Sequence, residues 1–323
     1  MKRFSSVLAL VVVGLLAGVA LGDEFLQGIG EGYNMSPTND RFYVGADKAF
    51  IGAGMDLSGV GLSSGGSWAT MISPQYFISA YHDHPTAGQT VTFYQGDTTA
   101  GGGDTFTVDS TSITTSFNGL PSDVYIGKLT TPIPASDHIA SYPVLQLPSN
   151  NSYLGMTIYT YGYPNRLGTN VISNVGTYNE AGESQTGMFF NYDSSGGLSE
   201  SYLMGGDSGG PSFSVYDGQL VLMGEHFSNW GTSGLPGAPG NVWPTTGDGS
   251  WWSVDGFLPS YVSQIDAFLP ADQQIALVTP VPEPITMTSL ALAMGGLGAY
   301  LKRRKAQKAE QRGVRTKRLG ISF

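Results

Sequence analysis

Met204-Gly205-Gly206-Asp207-Ser208-Gly209-Gly210-Pro211 is the most informative stretch of the chain. The glycines around Ser208 free the backbone for a tight course that residues with a Cβ resist, so two amide N–H groups can converge beside an exposed hydroxyl. An acyl-transfer nucleophile needs that arrangement: an accessible oxygen, with donors waiting where charge develops. A Gly-rich loop holding a serine is also the make-up of an ordinary turn. The loop therefore takes its meaning from partners elsewhere in the chain.

Two other segments supply them. Trp68-Ala69-Thr70-Met71-Ile72-Ser73-Pro74-Gln75-Tyr76-Phe77-Ile78-Ser79-Ala80-Tyr81-His82 ends an apolar strand pattern on a histidine, and Ser122-Asp123-Val124-Tyr125-Ile126-Gly127-Lys128-Leu129 opens another on an aspartate. With Gly206–Pro211 these segments resemble the chymotrypsin/trypsin family of serine proteases, in the order His, Asp, Ser that separates it from subtilisins and α/β-hydrolases. The resemblance implies an all-β fold, a chymotrypsin-like double β-barrel with a short C-terminal helix. It also implies His82 as general base, Asp123 as the acceptor of the other ring N–H, and Ser208 as nucleophile. The amides of Gly206 and Ser208 would form the oxyanion hole, with Asp207 holding the loop by ion pair or hydrogen bond. No cofactor and no metal is implied.

The match departs from the family at the substrate pocket. Six residues before the nucleophile, where trypsin-type members carry an acid, stands Tyr202, so a preference for Arg or Lys is not expected. His226 and Phe227 fall where the family builds a pocket wall, and either Phe227 or Ser228 takes the family's serine position. His226 reads equally as a packing histidine. Activation is a second departure. Arg41-Phe42-Tyr43-Val44-Gly45 lies at a suitable distance from His82 but matches an activation site poorly, so either cleavage occurs there or Asp207 has an internal partner. His82, Asp83 and His84 form a conceivable metal cluster, but alternation points only two imidazoles together and no further ligand stands nearby. Asp137-His138 reads as surface.

Composition agrees with turn-rich β structure. The chain has 323 residues, 46 glycines, 17 tyrosines, 41% hydrophobic and 12% charged residues, and short apolar runs recur between Gly, Ser, Asn and Pro clusters. Gln89–Tyr94, Val124–Leu129, Met156–Tyr161 and Leu220–Met223 are such runs; only Pro259–Leu269, with Tyr261, Val262, Ile265 and Phe268 in phase, reads as a helix. There is no cysteine, which excludes thiol catalysis, Cys-ligated zinc and disulfides. Charge is unevenly spread: Arg41, Lys48, Lys128 and Arg166 are the only basic residues against 24 acidic ones over residues 23–301. Such a body repels phosphate backbones, and nucleic-acid binding is not expected.

The ends address the chain. Residues 1–22, with Lys2, Arg3, an apolar stretch and Ala20 and Gly22 before a cut at Asp23, read as a secretory signal peptide. Val281-Pro282-Glu283-Pro284, the 17-residue apolar run Ile285–Leu301 and Lys302-Arg303-Arg304-Lys305 resemble the PEP-CTERM sorting signal of Gram-negative bacteria. That resemblance implies an exosortase-type processing enzyme as partner and export to the cell surface or extracellular matrix, tethered to the membrane before processing. The expected organisation is a first barrel over residues 23–148, a second with its closing helix over 149–270, a linker over 271–284, a membrane span over 285–301 and a basic cytoplasmic tail over 302–323. Three functions follow: an exported endopeptidase acting on a protein or peptide, a catalytically silent surface or matrix binding protein on the same fold, and an esterase.

Overall fold

The computed structural model describes residues 27–28, 37–180, 182–193, 199–231, 248–280, 300–302 and 304. It divides into two compact units, residues 1–278 and 279–323. The signal peptide and the Pro282-Glu283-Pro284 motif lie outside the described residues. Residues 300–302 and 304 of the second unit are helical, and no described helix is long and apolar enough to cross a membrane.

Six strands form the first barrel: β1 Val60–Ser63, β2 Trp68–Met71, β3 Tyr76–Ala80, β4 Thr90–Phe93, β5 Asp104–Phe117 and β6 Leu120–Leu129. They close in the order β1-β2-β3-β6-β5-β4, with β4 back on β1. Six more form the second: β7 Thr157–Gly162, β8 Arg166–Glu180, β9 Glu183–Asp193, β10 Pro211–Tyr216, β11 Gln219–Gly231 and β12 Asp248–Phe257. Their pairings run β7-β8-β9-β12-β11-β10 and return to β7 through Ser212↔Thr160 and Phe213↔Tyr159. The two halves thus share one strand order without a sequence repeat, and in each the first and last strands of that order pair with one another.

Side-chain alternation explains how the barrels meet. In a strand successive residues point to opposite faces. Ala69, Met71, Phe77, Tyr125 and Leu129 fill the first barrel, while their neighbours Trp68, Tyr76, Ile78, Val124 and Ile126 pack outward against Tyr161, Phe213 and Leu222 of the second. β2 and β3 are buried along their whole length because both faces are covered. The second barrel has its own core of Ile158, Ile172, Met188, Phe190, Val221, Met223 and Phe257.

The helix α1, Val262–Phe268, follows a short 3-10 turn at Leu258–Ser260 and buries Tyr261 and Ile265 in the shared core. Gln264 ties it to the first barrel: its Oε1 accepts from the Ser116 amide at 3.0 Å and its Nε2 donates to the Ser116 carbonyl at 2.9 Å. One expectation needs correction here. Ile275 is buried, and Leu277–Val278 pairs in parallel with Val144–Leu145, so the stretch read as the start of a linker belongs to the body as far as Val278.

Phe77 faces Gly127 across the β3–β6 pair, and a Cβ at Gly127 would come within 2.2 Å of the Phe77 ring. The ring is fully buried and has nowhere to retreat. Gly127→Ala is therefore expected to destabilise the fold by about 1–3 kcal/mol, the usual cost of overpacking a core, read as a fall in the denaturant midpoint at unchanged slope.

Candidate active site

His82 stands two residues beyond β3, in a turn that Asp123 holds from the neighbouring strand β6. The Tyr81 amide donates to the Asp123 carbonyl at 2.5 Å, and the His82 amide donates to Asp123 Oδ1 at 3.0 Å. The same carboxylate meets the imidazole: His82 Nδ1 lies 2.9 Å from each Asp123 oxygen. Asp123 has no exposed surface, and its own amide donates to Gln185 Oε1 on β9 at 3.1 Å. Backbone and side chain together fix the ring's position and hold Nε2 outward.

Ser208 comes from the second barrel, on the loop between Tyr202 and β10. The loop turns through Gly206 at φ +100° and Gly209 at φ +76°, conformations that side chains with a Cβ rarely adopt. A Cβ at Gly209 would also strike Ser79 Oγ at 2.6 Å and the Ala80 amide at 2.8 Å, so glycine lets the loop lie directly on the end of β3. Trp68 of β2 reaches across to donate from Nε1 to the Gly206 carbonyl at 3.2 Å. The result is a distance of 2.7 Å between His82 Nε2 and Ser208 Oγ. An imidazole placed between a buried carboxylate and a hydroxyl can take the hydroxyl's proton while the carboxylate stabilises the cation formed. The amides of Gly206 and Ser208 take no hydrogen-bond partner among the described residues.

Asp207 is fully buried and anchored by the chain itself. Its Oδ1 accepts from the Tyr163 amide at 3.0 Å and its Oδ2 from the Met204 amide at 2.9 Å. Arg41 is only 2% exposed; its guanidinium donates to the carbonyls of Leu57, Tyr94 and Gly96 and to Asp97. Of the two routes open in the sequence, the geometry therefore provides the internal partner for Asp207 and puts Arg41 inside the fold.

Beside Ser208 lies a cavity of about 250 Å³, with Leu203–Gly205 and Asp207 on one side and His226–Asn229 on the other. Phe227 lines it, with its ring 5.8 Å from that of His82. His226 borders it but is 1% exposed, with Nδ1 2.9 Å from Asp255 Oδ1 and Nε2 3.2 Å from the Tyr161 carbonyl oxygen. Tyr202 departs from expectation: it is buried against Tyr192, pairs with Gln27 in a two-residue bridge, and does not line the cavity. His82, Asp83 and His84 diverge, since Asp83 Oδ1 accepts from Ser67 at 2.6 Å while His84 meets the Tyr81 carbonyl and stacks on Tyr125.

Several carboxyls crowd behind His82. Burial and the neighbouring Asp123 push Glu183 up to about 7. Burial, with Asp123, Asp255 and Glu183 nearby, holds Glu225 far above the carboxylate range, and the Gly256 amide draws it back only part of the way; its side chain is completely buried. Burial lifts Asp207 to about 7, partly offset by the charge of His226. For His82 burial opposes protonation, yet Asp123, Glu183 and Asp83 outweigh it and raise the imidazole above its ordinary value. Sequence reading missed Trp68, Glu183, Gln185 and Asp255 as parts of this site. The available signal was a polar residue inside an apolar run, as with Asp255 in Trp251-Trp252-Ser253-Val254-Asp255-Gly256-Phe257.

No known protein family matches the chain, and no curated protein matches it. Among solved structures it is similar to a kallikrein-related peptidase 10 complex with Zn2+, at 15% identity and a TM-score of 0.43, over 67% of this chain and 96% of that one. The strand pairing of the two barrels, with the candidate site at their junction, defines the fold as a chymotrypsin-like double β-barrel.

The raised carboxyls set a pH dependence of stability. Between the unfolded values, 4.5 for Glu and 3.8 for Asp, and the folded values near 7, the folded state keeps protons that the unfolded chain has lost. Their contribution is complete below about pH 4 and is lost as pH rises through about 7. The thermal midpoint is expected to fall between pH 5 and 8, and Glu225→Gln to flatten that fall and raise the midpoint at pH 8. A steeper fall in the variant would contradict this assignment.

Proposed function

We propose that the chain is an exported serine endopeptidase that cleaves proteins or peptides through Ser208, His82 and Asp123. The observation that carries this reading is the 2.7 Å approach of His82 Nε2 to Ser208 Oγ, with Asp123 on the far side of the same ring. Ser208 Oγ attacks the scissile carbonyl carbon as its proton passes to His82 Nε2. The carbonyl oxygen becomes an oxyanion and takes hydrogen bonds from the amides of Gly206 and Ser208. Asp123 stabilises the imidazolium, which then protonates the leaving amine as the C–N bond breaks and the acyl group stays on Ser208. Water, deprotonated by His82, attacks the acyl carbon and releases the acid.

The cavity beside Ser208 receives the side chain that precedes the cleaved bond. Among the described residues its only acid, Asp207, is already engaged by two amides, and these residues offer no free charge to Arg or Lys. Asn229 Nδ2 donates to the Leu203 carbonyl at 2.8 Å and links the two walls. Small or medium uncharged side chains are the expected occupants. Residues 1–22 direct export, and residues 281–304 bring the chain to an exosortase-type enzyme at the membrane of a Gram-negative-type bacterium, with release to the cell surface or matrix. The acidic body suits that medium.

Fluorophosphonate labelling mapped by mass spectrometry tests the reaction. Stoichiometric modification of Ser208 in the folded chain, absent after heat denaturation and in Ser208→Ala, is the expected result; no labelling of the folded chain would overturn the reading. Asp123→Asn is expected to slow peptide turnover by about 10⁴-fold, as loss of the orienting carboxylate does in such sites. The rate should fall in acid as His82 protonates, with a midpoint above the ordinary imidazole value of 6.5. Glu183→Gln should move that midpoint down, because the charge of Glu183 supports the protonated ring.

A further inference from the structure

His226 is the one histidine that is fully buried, and every hydrogen bond its ring makes is to an acceptor. Nδ1 meets a carboxylate oxygen of Asp255, and Nε2 meets the carbonyl oxygen of Tyr161. A neutral imidazole carries one N–H, so it can serve only one of these oxygens. Both contacts are made when His226 and Asp255 together hold two protons, whichever of the two carries the second. The backbone of His226 grips the nucleophile loop at the same time. The Gly209 amide donates to the His226 carbonyl at 2.9 Å, and the His226 amide donates to the Gly210 carbonyl at 2.8 Å. A Cβ at Gly210 would lie 2.8 Å from His226 Cδ2, so the ring sits directly against the loop. Asp207, on the same loop, is fully buried and bonded to the amides of Met204 and Tyr163.

We propose that the buried His226–Asp255 couple positions the nucleophile loop from inside the second barrel, so that the site assembles in the chain uncleaved after Arg41. The inference rests on the serine-peptidase reading. Neither His226 nor Asp255 meets the reacting atoms; they act through the Gly209–Gly210 backbone. Asp255 and the Tyr161 carbonyl hold the His226 ring in place against the loop, while Asp207 takes its two amides from within the same chain. Arg41 fits this picture, since its side chain is enclosed and its amide donates to the Asn165 carbonyl at 2.9 Å. With Asp207 already held by two amides, the loop has its anchor without a newly created terminal ammonium.

The test uses the full chain, with the bond between Arg41 and Phe42 verified intact by mass spectrometry. Fluorophosphonate labelling of Ser208 is followed at several probe concentrations in the parent and in Asp255→Asn, at a temperature where circular dichroism shows both folded. The parent is expected to label while uncleaved. The variant is expected to show at least a tenfold lower maximal rate with little change in the half-saturating probe concentration, a split that simple loss of stability does not produce. Equal maximal rates would overturn the positioning role, and labelling only after cleavage behind Arg41 would overturn internal assembly while leaving the serine-peptidase reading intact. Failure of the parent to label in either form would remove that reading instead. If Asp255→Asn does not fold, the same labelling is run on His226→Gln, with the same fall in maximal rate expected and an unchanged maximal rate overturning the proposal.

Discussion

A carboxylate with no exposed surface has to be compensated on every side, and Asp123 imposes that requirement on the whole molecule. It faces a ring nitrogen and two main-chain amides from the turn after β3, while its own amide is held by Gln185 from the other barrel. Neither barrel supplies all of these alone. Burying an unpaired charge costs several kcal/mol, so the junction must be dry, close-packed and in register for the Asp–His contact to survive. The apolar faces of β2, β3 and β6, packed on Tyr161, Phe213 and Leu222, provide that junction. His82 lies at its edge, where a ring held from behind can still meet a hydroxyl from the opposite barrel.

The fold was legible in the sequence to the extent that strands announce themselves by alternation. Trp68–His82 and Ser122–Leu129 read as strand segments through the family they resemble and as short apolar runs such as Val124–Leu129, and they hold β2, β3 and most of β6. The helix near Tyr261 and Ile265 was legible from its 3.6-residue phase. That the two halves share the order 1-2-3-6-5-4 was not, because topology depends on which strands pair, and nothing local encodes that β10 returns to β7 through two residues. The tail of the body misled for a related reason. Pro270 and the polar residues after it resemble a linker, and only the partner strand Val144–Leu145 reveals Leu277–Val278 as sheet.

The candidate site divides along the same line. His82, Asp123 and Ser208 stand in segments whose local chemistry is distinctive, and the fold brings His82 within 2.9 Å of Asp123 and 2.7 Å of Ser208. The pocket was far less legible. Tyr202 was placed by counting back from Ser208, but spacing along the chain does not fix a side chain's direction: Tyr202 pairs with Gln27, packs on Tyr192 and stays out of the cavity lining. Asn229, which links the cavity walls, carries no signal in isolation: its meaning lies in the Leu203 carbonyl it meets.

The acids behind Asp123 show how such a site is tuned at a distance. Glu183 and Glu225 lie close enough to Asp123 for their charges to be felt, in a body already poor in basic residues. Each added negative charge makes a neighbouring carboxyl harder to ionise, so protons stay on the deeper acids, with burial the larger cause. For the imidazole the effect has the opposite sign: the more negative its surroundings, the more readily it accepts a proton. A stronger base assists deprotonation of Ser208, but it is also occupied by a proton over more of the acid range. Clustering carboxyls behind the ring therefore favours the proposed reaction in neutral to alkaline surroundings. The same clustering burdens the fold as those carboxyls ionise, so the pH that frees His82 also loads the junction that holds it.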